Sequence, residues 1–124
     1  MTVQELYTSI GGNYERVKNL LQMDKLIARF IVKLPNDTSF EKLLSAWSAG
    51  DRQGMFEGAH ALKGVCGNLG LDELAAAASR VTEEFRPGNT PTLSREELDA
   101  HMQQLRDRYE QTVETIRSFA AEQG

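Results

Sequence analysis

The chain has 124 residues, 40% apolar and 26% charged, which is enough for one domain spanning 1–124 but too few for a self-contained kinase. Its net charge of −4, with no basic block, argues against nucleic acid as a partner, and no apolar run approaches the ~20 residues that cross a membrane. The acidic, polar start of the sequence and the single cysteine, Cys66, predict a cytoplasmic protein.

The first part of the sequence has helical patterning throughout. A capping box at Thr2–Glu5 opens a short first helix, and Gly11–Gly12 ends it. Residues 13–34 predict one longer second helix, because apolar residues recur at helical spacing until Pro35 stops it. A third helix is predicted between caps near residue 37 and a glycine at residue 50.

The remaining sequence predicts three more helices. Asp51 starts a fourth helix that runs to about Gly70, and residues 71–85 form a fifth that Pro87–Gly88 ends, with a loop at 88–93. A second capping box, Ser94–Glu97, opens the last and longest helix. Short connections between amphipathic helices favour antiparallel neighbours. The predicted fold class is therefore all-α, an up-and-down antiparallel four-helix bundle with additional N-terminal helices.

The fourth helix carries the residues that point to a function. On a helical wheel its apolar stripe consists of Met55, Ala59, Leu62, Cys66 and Leu69. The opposite flank carries Phe56, His60, Lys63, Gly64 and Gly67. A glycine inside a helix costs roughly 1 kcal/mol relative to alanine, so Gly64 and Gly67 need a separate reason to be there. We interpret that reason as access, because without Cβ atoms another molecule's backbone can approach His60 closely.

A histidine in this setting can accept a phosphoryl group. The neutral imidazole is a nucleophile near pH 7, and its attack on an acyl phosphate would place a dianionic group on one ring nitrogen. Lys63, one helical turn after His60, can reach that group and stabilise its charge. Phosphoryl transfer depends mainly on positioning and charge neutralisation, so a small protein can take part if its partner supplies metal and carboxylates.

The residues around His60 resemble a known signature. The pattern Ala-His-x-Leu-Lys-Gly followed by Leu-Gly is similar to that of histidine-containing phosphotransfer (HPt) domains, and the matching residues are Ala59, His60, Leu62, Lys63, Gly64, Leu69 and Gly70. The resemblance implies a phosphorelay carrier that presents His60 to receiver domains of response regulators or hybrid sensor kinases. It implies no kinase activity, no ATP site and no cofactor in this chain, with Mg²⁺ expected only on the partner receiver.

The resemblance also implies a wider binding surface around His60. In some family members polar residues of the following helix approach the phosphohistidine, which here indicates Ser79, Thr82 and Arg86. Many members have glutamine where this chain has Thr82. Phe56, Gly64, Gly67 and Gly70 complete the predicted binding residues. No metal site is predicted.

Other interpretations of these residues compete with this one. The same bundle could bind receiver or kinase domains as an adaptor without phosphotransfer, although the intact His60 argues against that. A metal- or cofactor-binding bundle would need inward-facing Glu or His pairs on facing helices, such as Glu-x-x-His, whereas the one Glu-x-x-His of this sequence, Glu57–His60, has its histidine on the outward flank. Phe56 can fill a gap between helices or contact a receiver, and Cys66 and Trp47 are interpreted as core residues. His101 has neither a lysine three residues later nor a nearby glycine, so we interpret it as a solvated or partly packed side chain. We expect the protein to be a monomer.

Overall fold

This computed structural model describes residues 1–123, which contain seven α-helices and one short 3₁₀ helix. Their bounds are α1 Val3–Ile10, α2 Tyr14–Leu21, α3 Asp24–Ile31, the 3₁₀ helix Leu34–Asn36, α4 Ser39–Ala49, α5 Arg52–Asn68, α6 Asp72–Phe85 and α7 Arg95–Gln123. No strand occurs in those residues. Consecutive helices from α4 to α7 pack together, and α1 lies against α7. The predicted all-α bundle with additional N-terminal helices is confirmed.

The predicted helix starts are formed by side-chain caps. The backbone N–H of Glu5 donates to Thr2 Oγ1 at 3.1 Å, and the Thr2 N–H donates to the Glu5 carboxylate at 2.7 Å. Ser94 and Glu97 form the same reciprocal pair at the start of α7, at 3.1 and 2.9 Å. Asp51 accepts the Gly54 N–H at 3.0 Å and so caps α5. Both capping boxes are confirmed, since these bonds satisfy N–H groups that a helix start leaves without partners.

The prediction of one long second helix is wrong, because the chain turns between α2 and α3. Gln22 has a φ of 68°, in the left-handed region, and its N–H still donates to Lys18 O. The Asp24 carboxylate accepts hydrogen bonds from Tyr14 Oη at 2.5 Å and Lys18 Nζ at 2.9 Å. These bonds fold the start of α3 back against α2. The apolar period continues across the turn because both helices bury residues in the same core.

The core joins apolar residues from every part of the bundle. Its largest fully buried side chains are Tyr7, Phe119, Leu6, Ile27, Ile31, Leu34, Leu43, Met55, Leu62, Met102, Leu105 and Ile116. The predicted stripe of α5 is confirmed, since Met55, Ala59, Leu62 and Cys66 are buried and Leu69 lies at the edge of the core. Within residues 1–123, no helix combines the length and apolar character that crossing a bilayer requires.

Helices α4 and α5 approach each other closely at Gly58. A Cβ on this residue would lie 2.9 Å from both the backbone N and the Cα of Leu43, closer than packed atoms allow. Gly58 is therefore needed for packing. With this face of α5 held against α4 and another against α6, the flank that carries His60 points out of the bundle.

Candidate functional site

His60 lies in the middle of α5 with its side chain exposed. Among residues 1–123 no side chain or backbone group forms a hydrogen bond with its imidazole. Its partner is Phe56, one turn earlier, whose ring stacks on the imidazole with 5.7 Å between centroids and 10° between planes. Both ring nitrogens therefore remain open to a molecule that approaches from solvent.

Phe56 connects His60 to the end of α6. The guanidinium carbon of Arg86 lies 5.2 Å from the centroid of the Phe56 ring, which is a cation–π contact. Phe56 is half-buried, between these two contacts. The two functions left open for Phe56 are thus partly resolved, because its ring spans the space from α5 to Arg86 while a part of it stays accessible.

Lys63, Gly64 and Gly67 form the rest of the flank after His60. Lys63 is half-buried and its spacing from His60 places it one turn away on the same side. A Cβ at Gly64 or Gly67 would meet no atom within 4 Å, so neither glycine is needed for packing inside the protein. The carbonyl of Gly67 accepts a hydrogen bond from Arg16 Nη2 at 2.9 Å, which ties this end of α5 to α2. The flank next to His60 is consequently bare backbone that a partner can approach.

Thr82 does not belong to this surface, and the prediction that it binds is corrected. Its side chain is fully buried, and its hydroxyl donates to Ala78 O at 2.8 Å within α6. The helical turn of α6 directs this position into the core, although the family resemblance implied that it approaches the phosphohistidine. Ser79 is half-buried on the same helix, and Arg86 is half-buried beside Phe56.

Gly70 is also corrected, from a binding residue to a structural one. It is buried with a φ of +75°, and a Cβ there would collide with the Val17 side chain and lie 3.0 Å from Asn13 O. The Asn13 N–H donates to Gly70 O at 2.8 Å. Only glycine combines this left-handed turn with such a close approach of α2, so Gly70 positions the chain after α5.

Glu83, which was not among the predicted binding residues, forms a bidentate ion pair with Arg86. Arg86 Nη2 donates to Glu83 Oε2 at 2.8 Å and Arg86 Nε donates to Oε1 at 3.1 Å. The available signal was the i,i+3 spacing of the two charges near the end of the predicted fifth helix.

The other three residues considered in the sequence lie apart from this surface. Burial raises the pKa of the Cys66 thiol to about 12, which fits a core residue better than a redox switch. Trp47 is half-buried with its Nε1–H donating to Asp99 at 2.9 Å. His101 is half-buried with Nε2 3.0 Å from Ala77 O.

A comparison with protein-family models identifies the family. The model described as Hpt domain matches residues 25–116, which run from α3 through most of α7 and contain the whole His60 surface. The chain belongs to the Hpt domain family. Searches of curated proteins and of solved structures give no match. Membership in the Hpt family implies histidine phosphotransfer within a phosphorelay, with receiver domains as partners and a carrier rather than a kinase role.

Proposed function

We propose that this Hpt domain is a phosphorelay intermediate in which His60 accepts a phosphoryl group from the aspartate of a receiver domain and returns it to another. The receivers belong to response regulators or hybrid sensor kinases. One observation carries the proposal: an exposed imidazole, free of hydrogen bonds within residues 1–123, lies beside glycines at which a Cβ would meet nothing.

In this transfer the chain supplies the nucleophile, and the partner receiver supplies the aspartyl phosphate and the Mg²⁺. A ring nitrogen of neutral His60 donates its lone pair to the phosphorus of the receiver's aspartyl phosphate. As the new P–N bond forms, the P–O bond to the aspartate breaks and the carboxylate leaves with its electron pair. The proton of the other ring nitrogen stays in place. The reverse sequence passes the phosphoryl group to the next receiver aspartate.

Three neighbours of His60 have distinct parts in this step. Phe56 fixes the plane of the imidazole by stacking, which keeps the reactive nitrogen directed outward. Lys63 supplies a mobile positive charge for the phosphoryl oxygens. Gly64 lets the receiver's backbone approach, since a side chain at this position would occupy the path.

Phosphorylation of variants by a receiver charged on its aspartate tests the proposal. We expect the label on wild-type protein to be stable to base and labile to acid, as a phosphoramidate bond is. His60→Gln should fold, with an unchanged circular dichroism melting curve, and take up no label. His101→Gln is the matched control and should label normally. Label on the His60→Gln protein would refute the assignment, and binding of the receiver without any label would favour the adaptor function.

Lys63→Ala tests the second residue of the site. The variant should melt close to the wild-type temperature, because Lys63 is only half-buried and a charged side chain near the surface contributes little to stability. We expect slower transfer from the receiver or a shorter lifetime of the phosphohistidine. Wild-type values for both measurements would remove Lys63 from the mechanism.

The proposal extends to cofactor, assembly and location. We assign no metal or cofactor to this chain and place the Mg²⁺ on the partner receiver, where it neutralises the acyl phosphate. A monomer is supported by an apolar core that is buried within one chain, and a cytoplasmic location by the single buried cysteine. Sedimentation equilibrium with and without a receiver tests the assembly.

A further inference from the structure

Glu83 binds Arg86, a cation that contacts the His60–Phe56 stack. Its carboxylate accepts from Arg86 Nε and Nη2 at 2.8 to 3.2 Å, and the Arg86 guanidinium lies 5.2 Å from the Phe56 centroid. Since the Phe56 ring is 5.7 Å from the imidazole, the guanidinium is separated from His60 by no more than these two distances together. An arginine side chain can cross such a gap by changing rotamers.

The same carboxylate lies within the electrostatic reach of Lys63. Hydrogen bonds from Arg86 hold the pKa of the Glu83 carboxyl below its ordinary value against a smaller opposing effect of burial, and the charges of Arg86 and Lys63 act in the same direction. Glu83 is therefore an anion at neutral pH, with one cation bound to it and a second nearby. Both cations belong to the surface around His60.

We propose that Glu83 is a resident counter-anion of the phosphotransfer site, which holds Arg86 while His60 is unmodified and competes with the phosphoryl group for Arg86 and Lys63 afterwards. The inference rests on the proposed function of His60. A phosphoryl dianion on His60 and the Glu83 carboxylate repel each other and share the same cations. Glu83 consequently destabilises the phosphorylated state and keeps the phosphoryl group easy to transfer.

The variant Glu83→Gln isolates this effect. Glutamine keeps the size of the side chain and removes its charge, so Arg86 and Lys63 become free for the phosphoryl group. We expect the ratio of phosphorylated to unphosphorylated protein to rise about two- to fivefold, the range that exposed charge pairs produce. In 1 M NaCl, where the screening length is about 3 Å, the gain should nearly vanish.

Potassium phosphoramidate is a suitable donor because it needs no receiver. The P–N bond to ammonia breaks, a P–N bond to a ring nitrogen of His60 forms and ammonia leaves, while the proton of the other ring nitrogen stays. Phosphorus NMR of the full chain at steady state measures the amount of phosphohistidine, and hence the ratio of phosphorylated to unphosphorylated protein. Circular dichroism melting shows whether each variant is folded.

Two further variants complete the experiment. Glu110→Gln is the matched control, since Glu110 forms a 3.3 Å ion pair with Arg106 on α7 and has the same charge, and the ratio should not change. In an Arg86→Gln background, Glu83→Gln should raise the ratio of phosphorylated to unphosphorylated protein by less, because the cation for which Glu83 and the phosphoryl group compete is absent.

Each result decides between the two proposals. An unchanged or lower ratio in Glu83→Gln, with wild type labelled, overturns the role of Glu83 and leaves His60 as acceptor. A gain of the same size in the Arg86→Gln background overturns the competition for Arg86. Failure of wild type to become phosphorylated, or equal labelling of His60→Gln, overturns the proposed function itself and with it this inference.

Discussion

Replacing Gly64 by alanine should make this protein more stable and a poorer phosphotransfer partner. The added Cβ would meet nothing within 4 Å, so the substitution introduces no clash. Alanine in a helix interior is favoured over glycine by about 1 kcal/mol. For a chain of this size that gain raises the melting temperature by roughly 3–5 °C. The new methyl group nevertheless stands one turn after His60, on the path of an approaching receiver.

The loss of transfer follows from the same methyl group. Displacing the reacting groups by ~1 Å can slow a positioned reaction about 100-fold, so we expect at least about a tenfold slower transfer from a phosphorylated receiver. Phosphoramidate is a small donor that does not need the surface around Gly64. Its reaction with His60 should therefore proceed at the wild-type rate.

Gly58→Ala is the matched control, because it makes the same change on the buried side of the same helix. Its Cβ would lie 2.9 Å from backbone atoms of Leu43. Overpacking costs about 1–3 kcal/mol and the helix gain is about 1 kcal/mol, so the variant should be less stable than wild type by up to roughly 2 kcal/mol. The folded fraction should transfer normally, since nothing on the His60 flank changes.

Circular dichroism melting measures the stability of each variant, and transfer reactions stopped at successive times measure the rate of phosphoryl transfer from the receiver. If Gly64→Ala melts below wild type, the glycine is required for packing or backbone conformation and the predicted gain in stability is wrong. If the variant accepts phosphoryl groups from the receiver at the wild-type rate, the bare backbone has no role in access and the predicted loss of transfer is wrong.

Three other predictions concern stability. Gly70→Ala forces a Cβ into a left-handed turn and against Val17, and we expect a loss of about 2–4 kcal/mol in urea denaturation; stability equal to wild type would contradict the structural role. Glu84 is buried and accepts hydrogen bonds from the backbone and hydroxyl of the loop before α7, and although burial acts to raise its pKa these bonds lower it on balance. Glu84→Ala should lower the free energy of unfolding by about 1.5–3 kcal/mol at pH 7. The difference in this free energy between the variant and wild type should narrow as the pH falls through the ordinary carboxyl pKa near 4.5, because the depressed pKa means that Glu84 stabilises the fold in its charged form. The Cys66 thiol has a pKa of about 12 in the folded state and near 9.0 in the unfolded state, so above pH 9 the unfolded state loses its proton first. From this group the free energy of unfolding then falls by at most about 1.4 kcal/mol per pH unit. The free energy of unfolding of Cys66→Ala should therefore fall less steeply than that of wild type between pH 9 and 11, and an identical slope would contradict the prediction.

Local sequence patterns were sufficient for most of the helices and for the face that carries His60. The two capping boxes and the exposed flank of α5 depend on interactions between residues at most four apart, which spacing alone specifies. Gly64 and Gly67 could be interpreted as accessible backbone because their cost inside a helix is an intrinsic propensity. The apolar stripe of α5 was predictable for the same reason.

Only the tertiary structure decided which residues of the neighbouring helices lie near His60. The burial of Thr82 and the contact of Gly70 with α2 depend on how neighbouring helices rotate and cross, and about half a turn of a helix about its axis exchanges a buried face for an exposed one. Arg86 reaches Phe56 because α6 ends next to α5 there, a juxtaposition of residues thirty positions apart. The turn at Gln22 likewise depends on Asp24 bonding back to α2. The apolar periodicity of a helix predicts which of its faces is buried, whereas the packing of neighbouring helices determines which residues contact each face.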